Sequence, residues 1–172
     1  VIVILTGHPG AGKSTVARLL AKKVERAVVA PIDDIRDWVV QGISHPTEWT
    51  EETERQFQLA EAVACAAAAV YSDSGFLVML DHCRNLERWD QMVESHLQGR
   101  AVHRFGLFPN LETNLQRNAT RGTKAFDTSA LNDLIQYLHT VTPGPREGWH
   151  LLDTSDQTPE ETADSIWSLI SR

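Results

Sequence analysis

The stretch Gly7-His8-Pro9-Gly10-Ala11-Gly12-Lys13-Ser14 follows the apolar run Val1-Ile2-Val3-Ile4-Leu5 and runs straight into Thr15-Val16-Ala17-Arg18-Leu19-Leu20. Strand, glycine-rich turn and helix form the context in which G-x-x-x-x-G-K-[ST] acts as a phosphate loop. The glycines let successive backbone N–H groups turn inward toward phosphate oxygens. The helix that begins there aims its positive end at the same point. Lys13 is expected to neutralise the β- and γ-phosphates, and Ser14 Oγ to ligate Mg²⁺. Residues Gly7, His8, Pro9, Gly10, Ala11, Gly12, Lys13, Ser14 and Thr15 are therefore the expected triphosphate site, with His8 a tolerated variable position inside it.

Outward from this loop the chain alternates strands and helices, which predicts a parallel sheet covered on both faces. Residues 27–30 read as a second strand stopped by Pro31. A helix is expected from near Asp33 to Gly42, burying Ile35, Trp38 and Val39. A long helix follows from about Thr50 to Ser72, with Phe57, Ala60, Val63, Ala64, Ala67 and Val70 as its apolar positions. Phe76 to Leu80 reads as a strand buried on both faces, with Asp81 at its end. Further helices are expected over 85–98, 111–120, 131–140 and 159–170, and strands over 101–108 and 149–152.

The totals fit one domain, residues 1–172, large enough for a sizeable core. No apolar run approaches the length of a membrane span, and no leader pattern is visible, so no membrane partner is expected. The two cysteines, Cys65 and Cys83, form no ligand-like pattern, which points to a reducing, cytoplasmic setting. The formal net charge of −7 argues against broad, non-specific binding of nucleic acid.

In a doubly wound sheet ligands sit at the carboxyl ends of the strands, so polar residues there are the candidates for chemistry. Asp33 and Arg36 are three apart at a helix start and share a face. A carboxylate there can accept the proton of an acceptor hydroxyl, and an arginine beside it can hold an anionic group. An N-cap with a surface partner is the structural alternative. Asp81 ends the most apolar strand and is expected to support Mg²⁺ or orient the acceptor. Arg84 is a candidate to face the acceptor, whereas His82 and Cys83 read as local packing. Arg117 and Arg121 are four apart on one helix and could close over the nucleotide, with a solvated face as the alternative. Thr154 and Ser155 form a short polar loop suited to an adenine base or, equally, to a helix start.

Gly7 to Ser14, Asp33-Asp34-x-Arg36, Asp81 and Arg117-Asn118-x-x-Arg121-Gly122-Thr123-Lys124 together resemble the 5′-hydroxyl kinase domain of phage-type polynucleotide kinases. The set also resembles the small-molecule P-loop kinases of the gluconate, shikimate and chloramphenicol-phosphotransferase kind. The resemblance implies a three-layer α/β/α fold, a five-stranded parallel sheet in order 2-3-1-4-5 and a mobile arginine lid over about 117–130. It implies ATP and Mg²⁺ as cofactors. The polynucleotide-kinase resemblance also implies Asp33 as general base, Arg36 on the acceptor's 3′-phosphate, Asp81 positioning the acceptor, and Arg121 on the nucleotide phosphates. Adjacent Asp33-Asp34 departs from the Asp-x-Asp of the shikimate type. The net acidity and the ending over 149–172 depart from the polynucleotide type. The expected activity is transfer of the γ-phosphate to a hydroxyl, with a 5′-hydroxyl of a nucleotide or oligonucleotide slightly favoured. A sugar, metabolite or antibiotic is the next acceptor class. A nucleotide-binding ATPase that regulates a partner is the reading from another class.

Overall fold

The computed structural model describes residues 1–44, 49–120 and 127–171. Five strands, β1 (Ile2–Gly7), β2 (Ala27–Pro31), β3 (Leu77–Asp81), β4 (Val102–Leu107) and β5 (Trp149–Leu152), form one parallel sheet in order β2-β3-β1-β4-β5. Among the described residues the α-helices are α1 (Lys13–Ala21), α2 (Ile32–Arg36), α3 (Glu51–Asp73), α4 (Leu86–His96), α5 (Leu111–Ala119), α6 (Asn132–Thr140) and α7 (Pro159–Ile170), with a 3-10 turn at Thr128–Leu131 before α6. This is the three-layer P-loop kinase fold expected from the sequence, with the expected strand order.

Side-chain alternation along the strands divides the core in two. Ile2, Ile4, Val78 and Leu80 face α3 and α4, where they meet Ala64, Trp89 and Met92. Val3, Leu5, Met79 and Phe105 face α1 and α7, where they meet Val16, Leu20 and Ile166. Both faces of β1 and β3 are covered, which is why these strands are continuous apolar runs rather than alternating ones. Helix starts carry the polar caps that orphan N–H groups require: Thr50 accepts from Thr53 N, Asn85 from Arg88 N, Asn110 from Thr113 N and Thr158 from Glu161 N.

Two expectations are corrected. The helix after β2 is a single turn ending at Arg36, not one reaching Gly42, and Trp38 is 69% exposed. Only Ile32 and Ile35 reach the core there, and the β-branched pair Val39-Val40 gives the chain no reason to stay helical. In α3, Val63 and Val70 face solvent. Its packed stripe runs through Phe57, Ala60, Glu61, Ala64, Cys65 and Ala68, and Val63 lies on the opposite side of the helix.

The register sets up the site. Leu5 lies level with Asp81 across β1–β3, and Asp81 lies level with Pro31 across β3–β2. The loop after β1, the acid ending β3 and the start of α2 therefore open on one sheet edge.

Candidate active site

The phosphate loop is held from behind. Gly7 (φ 144°) lies where an added Cβ would stand 2.2 Å from Leu107 O, and Gly10 (φ 82°) where one would stand 2.8 Å from Asn114 Nδ2. Neither position admits a side chain, so β4 and α5 can close directly on the loop. Asn114 donates to Pro9 O at 2.6 Å. Lys13 Nζ donates to Gly7 O (2.9 Å) and His8 O (3.1 Å), which folds the side chain across the loop's mouth.

Ser14 Oγ donates to Asp81 Oδ2. A hydroxyl and a carboxylate oxygen stand side by side at the carboxyl ends of the strands. That pair of hard oxygen donors fits Mg²⁺, which binds through one or two protein groups plus phosphate oxygens. No cluster of three or more His, Cys, Asp or Glu residues that could hold a metal exists among the described residues.

Asp33 stands at the start of α2, its side chain half exposed at the mouth of the cleft. Behind it lies His82, 4% exposed, with Nδ1 3.2 Å from Asp33 Oδ1 and Nε2 3.8 Å from Glu61 Oε1. Cys83 marks how closely the charges gather. Burial raises its thiol pKa, Lys13 and Arg84 pull it down, and Asp33 and Asp81 push it up. Ser14 and Asp81 meet directly, and Lys13 and Asp33 follow β1 and β2 at the same carboxyl edge of the sheet.

The remaining predicted residues are placed differently. Arg36 is buried; its guanidinium lies 4.6 Å from the centre of the Phe57 ring and donates to Ser44 O at 3.0 Å. Arg84 donates to Glu54 through NH1 (3.0 Å) and NH2 (2.8 Å) and to Glu61 through Nε (2.6 Å). Burial disfavours its charge, but those hydrogen bonds outweigh it and hold the pKa above the ordinary arginine value. Arg117 donates to Thr154 O (2.7 Å), Thr154 Oγ1 (3.2 Å) and Gln157 O (3.0 Å), so it joins α5 to the loop before α7. Burial lowers its pKa. Ser155 Oγ accepts from Asn110 N at 2.8 Å, which pins the same loop to the α5 N-terminus. α5 ends at Ala119, and Arg121 lies outside the described residues.

Glu61, Asn114 and His139 carry no assignment in the sequence reading, and His8 there is only a variable position of the loop. Glu61, 1% exposed, accepts from both Arg84 and Arg88. A charged residue inside the α3 apolar stripe is the signal that could have found it. Asn114 is buried beside the loop, and its Oδ1 lies 3.1 Å from His139 Nε2. His8 packs against His139 (ring centres 4.6 Å apart) and Phe108 (5.2 Å). Burial first, then His139 and Lys13, push its pKa down to about 4, and a hydrogen bond to Asn114 opposes them only in part. Nothing in the sequence linked positions 8, 114 and 139.

Fold and loop together define a P-loop kinase, an ATP-dependent phosphotransferase. The chain belongs to the family described as chloramphenicol phosphotransferase-like protein, which matches residues 1–171. No curated protein gives a significant match. Similar solved structures include the Mycobacterium tuberculosis APS kinase CysC in complex with AMPPNP and APS: 18% identity, 99% of this chain and 97% of that one covered, TM-score 0.72. A sugar kinase from Janibacter sp. HTCC2649 is 19% identical over 99% of this chain and 94% of that one, with a TM-score of 0.70. Shikimate kinase from Acinetobacter baumannii in complex with shikimate is 24% identical over 99% and 92%, with a TM-score of 0.62. Those three structures are named as kinases of APS, of a sugar and of shikimate.

Proposed function

We propose that this protein transfers the γ-phosphate of ATP to a hydroxyl of a small molecule, with Mg²⁺. What supports the reading is the direct Ser14–Asp81 contact, with Lys13 and Asp33 on the segments that follow β1 and β2 at the same sheet edge. Loop N–H groups and Lys13 hold the triphosphate; Lys13 must leave the carbonyls of Gly7 and His8 to do so. Ser14 and Asp81 would hold Mg²⁺, which supplies positive charge to the phosphate oxygens. Asp33 takes the acceptor's hydroxyl proton as its oxygen bonds to the γ-phosphorus and the bond to ADP breaks. The rate gain comes from positioning and charge stabilisation.

On the acceptor side the two candidate arginines are already engaged: Arg36 with Ser44 and Phe57, Arg84 with Glu54 and Glu61. This supports an acceptor recognised without a phosphate or carboxylate grip from these residues. It weighs against the 3′-phosphate recognition that the polynucleotide resemblance implied for Arg36.

The test is transfer of labelled γ-phosphate to a panel of chloramphenicol-like compounds, sugars, shikimate, gluconate and 5′-hydroxyl oligonucleotides. Transfer to a small hydroxyl compound is expected, with Asp33→Asn lowering kcat about 10²- to 10⁴-fold while ATP binding persists. Transfer to oligonucleotides alone would overturn the small-molecule assignment. ATP turnover that is indifferent to both Asp33→Asn and every acceptor would overturn the kinase reading.

A further inference from the structure

His82 immediately follows the metal-side acid of β3, and its backbone N donates to Leu5 O at 3.2 Å, so its ring is set by the sheet itself. The ring is stacked on Phe57 (centres 5.3 Å apart, 30° between planes) and meets the edge of Trp89. It therefore lies between two acids of opposite character. Glu61 is buried and fixed by Arg84 and Arg88. Asp33 stands on the solvent side, 52% exposed, where an acceptor hydroxyl can reach it.

Neither ring nitrogen of His82 makes a well-aligned hydrogen bond, although Nδ1 is within 3.2 Å of Asp33 Oδ1. Leaving a buried donor unmade is costly, and packing alone gives no reason to place an imidazole rather than a phenyl ring there. Catalytic hydrogen bonds are often poorly aligned before the reactants bind and tighten when they do.

We infer that His82 is a positioning residue for phosphoryl transfer: its Nδ1–H engages Asp33 Oδ1 and leaves Oδ2 turned toward the acceptor hydroxyl. The inference rests on the kinase reading for its chemistry, but the His82–Asp33 contact can be read without any turnover. A donor on one oxygen restricts rotation of the carboxylate and so biases the orientation in which it takes the proton. The ring is kept in place by its packing on Phe57 and Trp89, with Glu61, anchored by its two arginines, 3.8 Å from Nε2 on the far side.

The experiment uses the whole chain and three variants, His82→Asn, His82→Gln and His82→Phe. Asparagine places an amide N–H near the position of Nδ1, glutamine near that of Nε2. With the best acceptor of the panel above, His82→Phe and His82→Gln should lower kcat about 10- to 100-fold, with KM for ATP unchanged. His82→Asn should recover most of that loss. Thermal melts identify any variant that fails to fold. In parallel, nitrogen-15 spectra of histidine-labelled protein should show His82 protonated at Nδ1, with that resonance displaced in Asp33→Asn. Equal kcat in wild type and a folded His82→Phe, or better rescue by glutamine than by asparagine, would overturn the inference and leave the kinase reading standing. An Nδ1 resonance indifferent to Asp33→Asn would overturn it as well. A wild type that phosphorylates nothing would instead remove the kinase reading, and the role of His82 in transfer with it.

Discussion

The two halves of the cleft are built on different principles. On the nucleotide side, Gly7 to Ser14 are contiguous, and most of the expected contacts are backbone groups whose geometry the glycines impose. On the acceptor side, Asp33, Glu61, His82, Arg84 and Arg88 come from four separate segments and meet through side chains. A backbone cradle recognises a ligand common to many kinases, and it survives changes in the rest of the chain. A side-chain cluster fixes the direction of one carboxylate, and each member depends on the others.

The comparison can be broken most severely at Glu61. Glu61→Ala leaves the half-buried Arg84 and Arg88 without their shared counter-charge, and removing one partner of a buried ion pair typically costs about 3–5 kcal/mol. A chemical melt should show that loss, while nucleotide binding by whatever remains folded is retained. A melt indistinguishable from wild type would mean that the acceptor half does not depend on this cluster.

The nucleotide half has its own weak point in acid. His8 has a pKa near 4 in the folded chain against 6.5 ordinarily, so the unfolded chain binds the proton more readily. The associated stability is full above about pH 6.5 and is lost as the pH falls through about 4, a loss of about 3 kcal/mol once the folded site is protonated. His8→Asn should flatten that part of the stability–pH curve. An unchanged slope between pH 6.5 and 4 in this variant would remove His8 from the account.

The smallest expected effect is at the back of the loop. Asn114→Ala removes the hydrogen bond to Pro9 O and the contact to His139, and should cost about 1–3 kcal/mol in a thermal or chemical melt. It should also raise KM for ATP more than it lowers kcat, because it loosens the cradle and not the base. A selective fall in kcat would show that the two halves are not separable in this way.

Much of this was legible along the chain. The phosphate loop is local, so its eight residues announce both the turn and the phosphate chemistry. The placement of Asp81 at the end of β3 follows from an apolar run broken by a polar residue, whereas the sheet order came with the family resemblance. Trp38 and Val63 were misjudged because hydrophobicity counts a residue as core without knowing which way its element turns. Arg36 and Arg84 were read as open hands because a sequence shows charges without their partners.

The sequence by itself thus determined the fold, the triphosphate loop and the strand ends where chemistry must occur, since each depends on short-range pattern and backbone geometry. Only the tertiary structure decided that Glu61 occupies Arg84, that Asn114 and His139 brace His8, and that His82 stands beneath Asp33. Those are contacts between residues 23 or more positions apart, whose energies depend on distance and burial, and neither quantity exists until the chain has closed on itself.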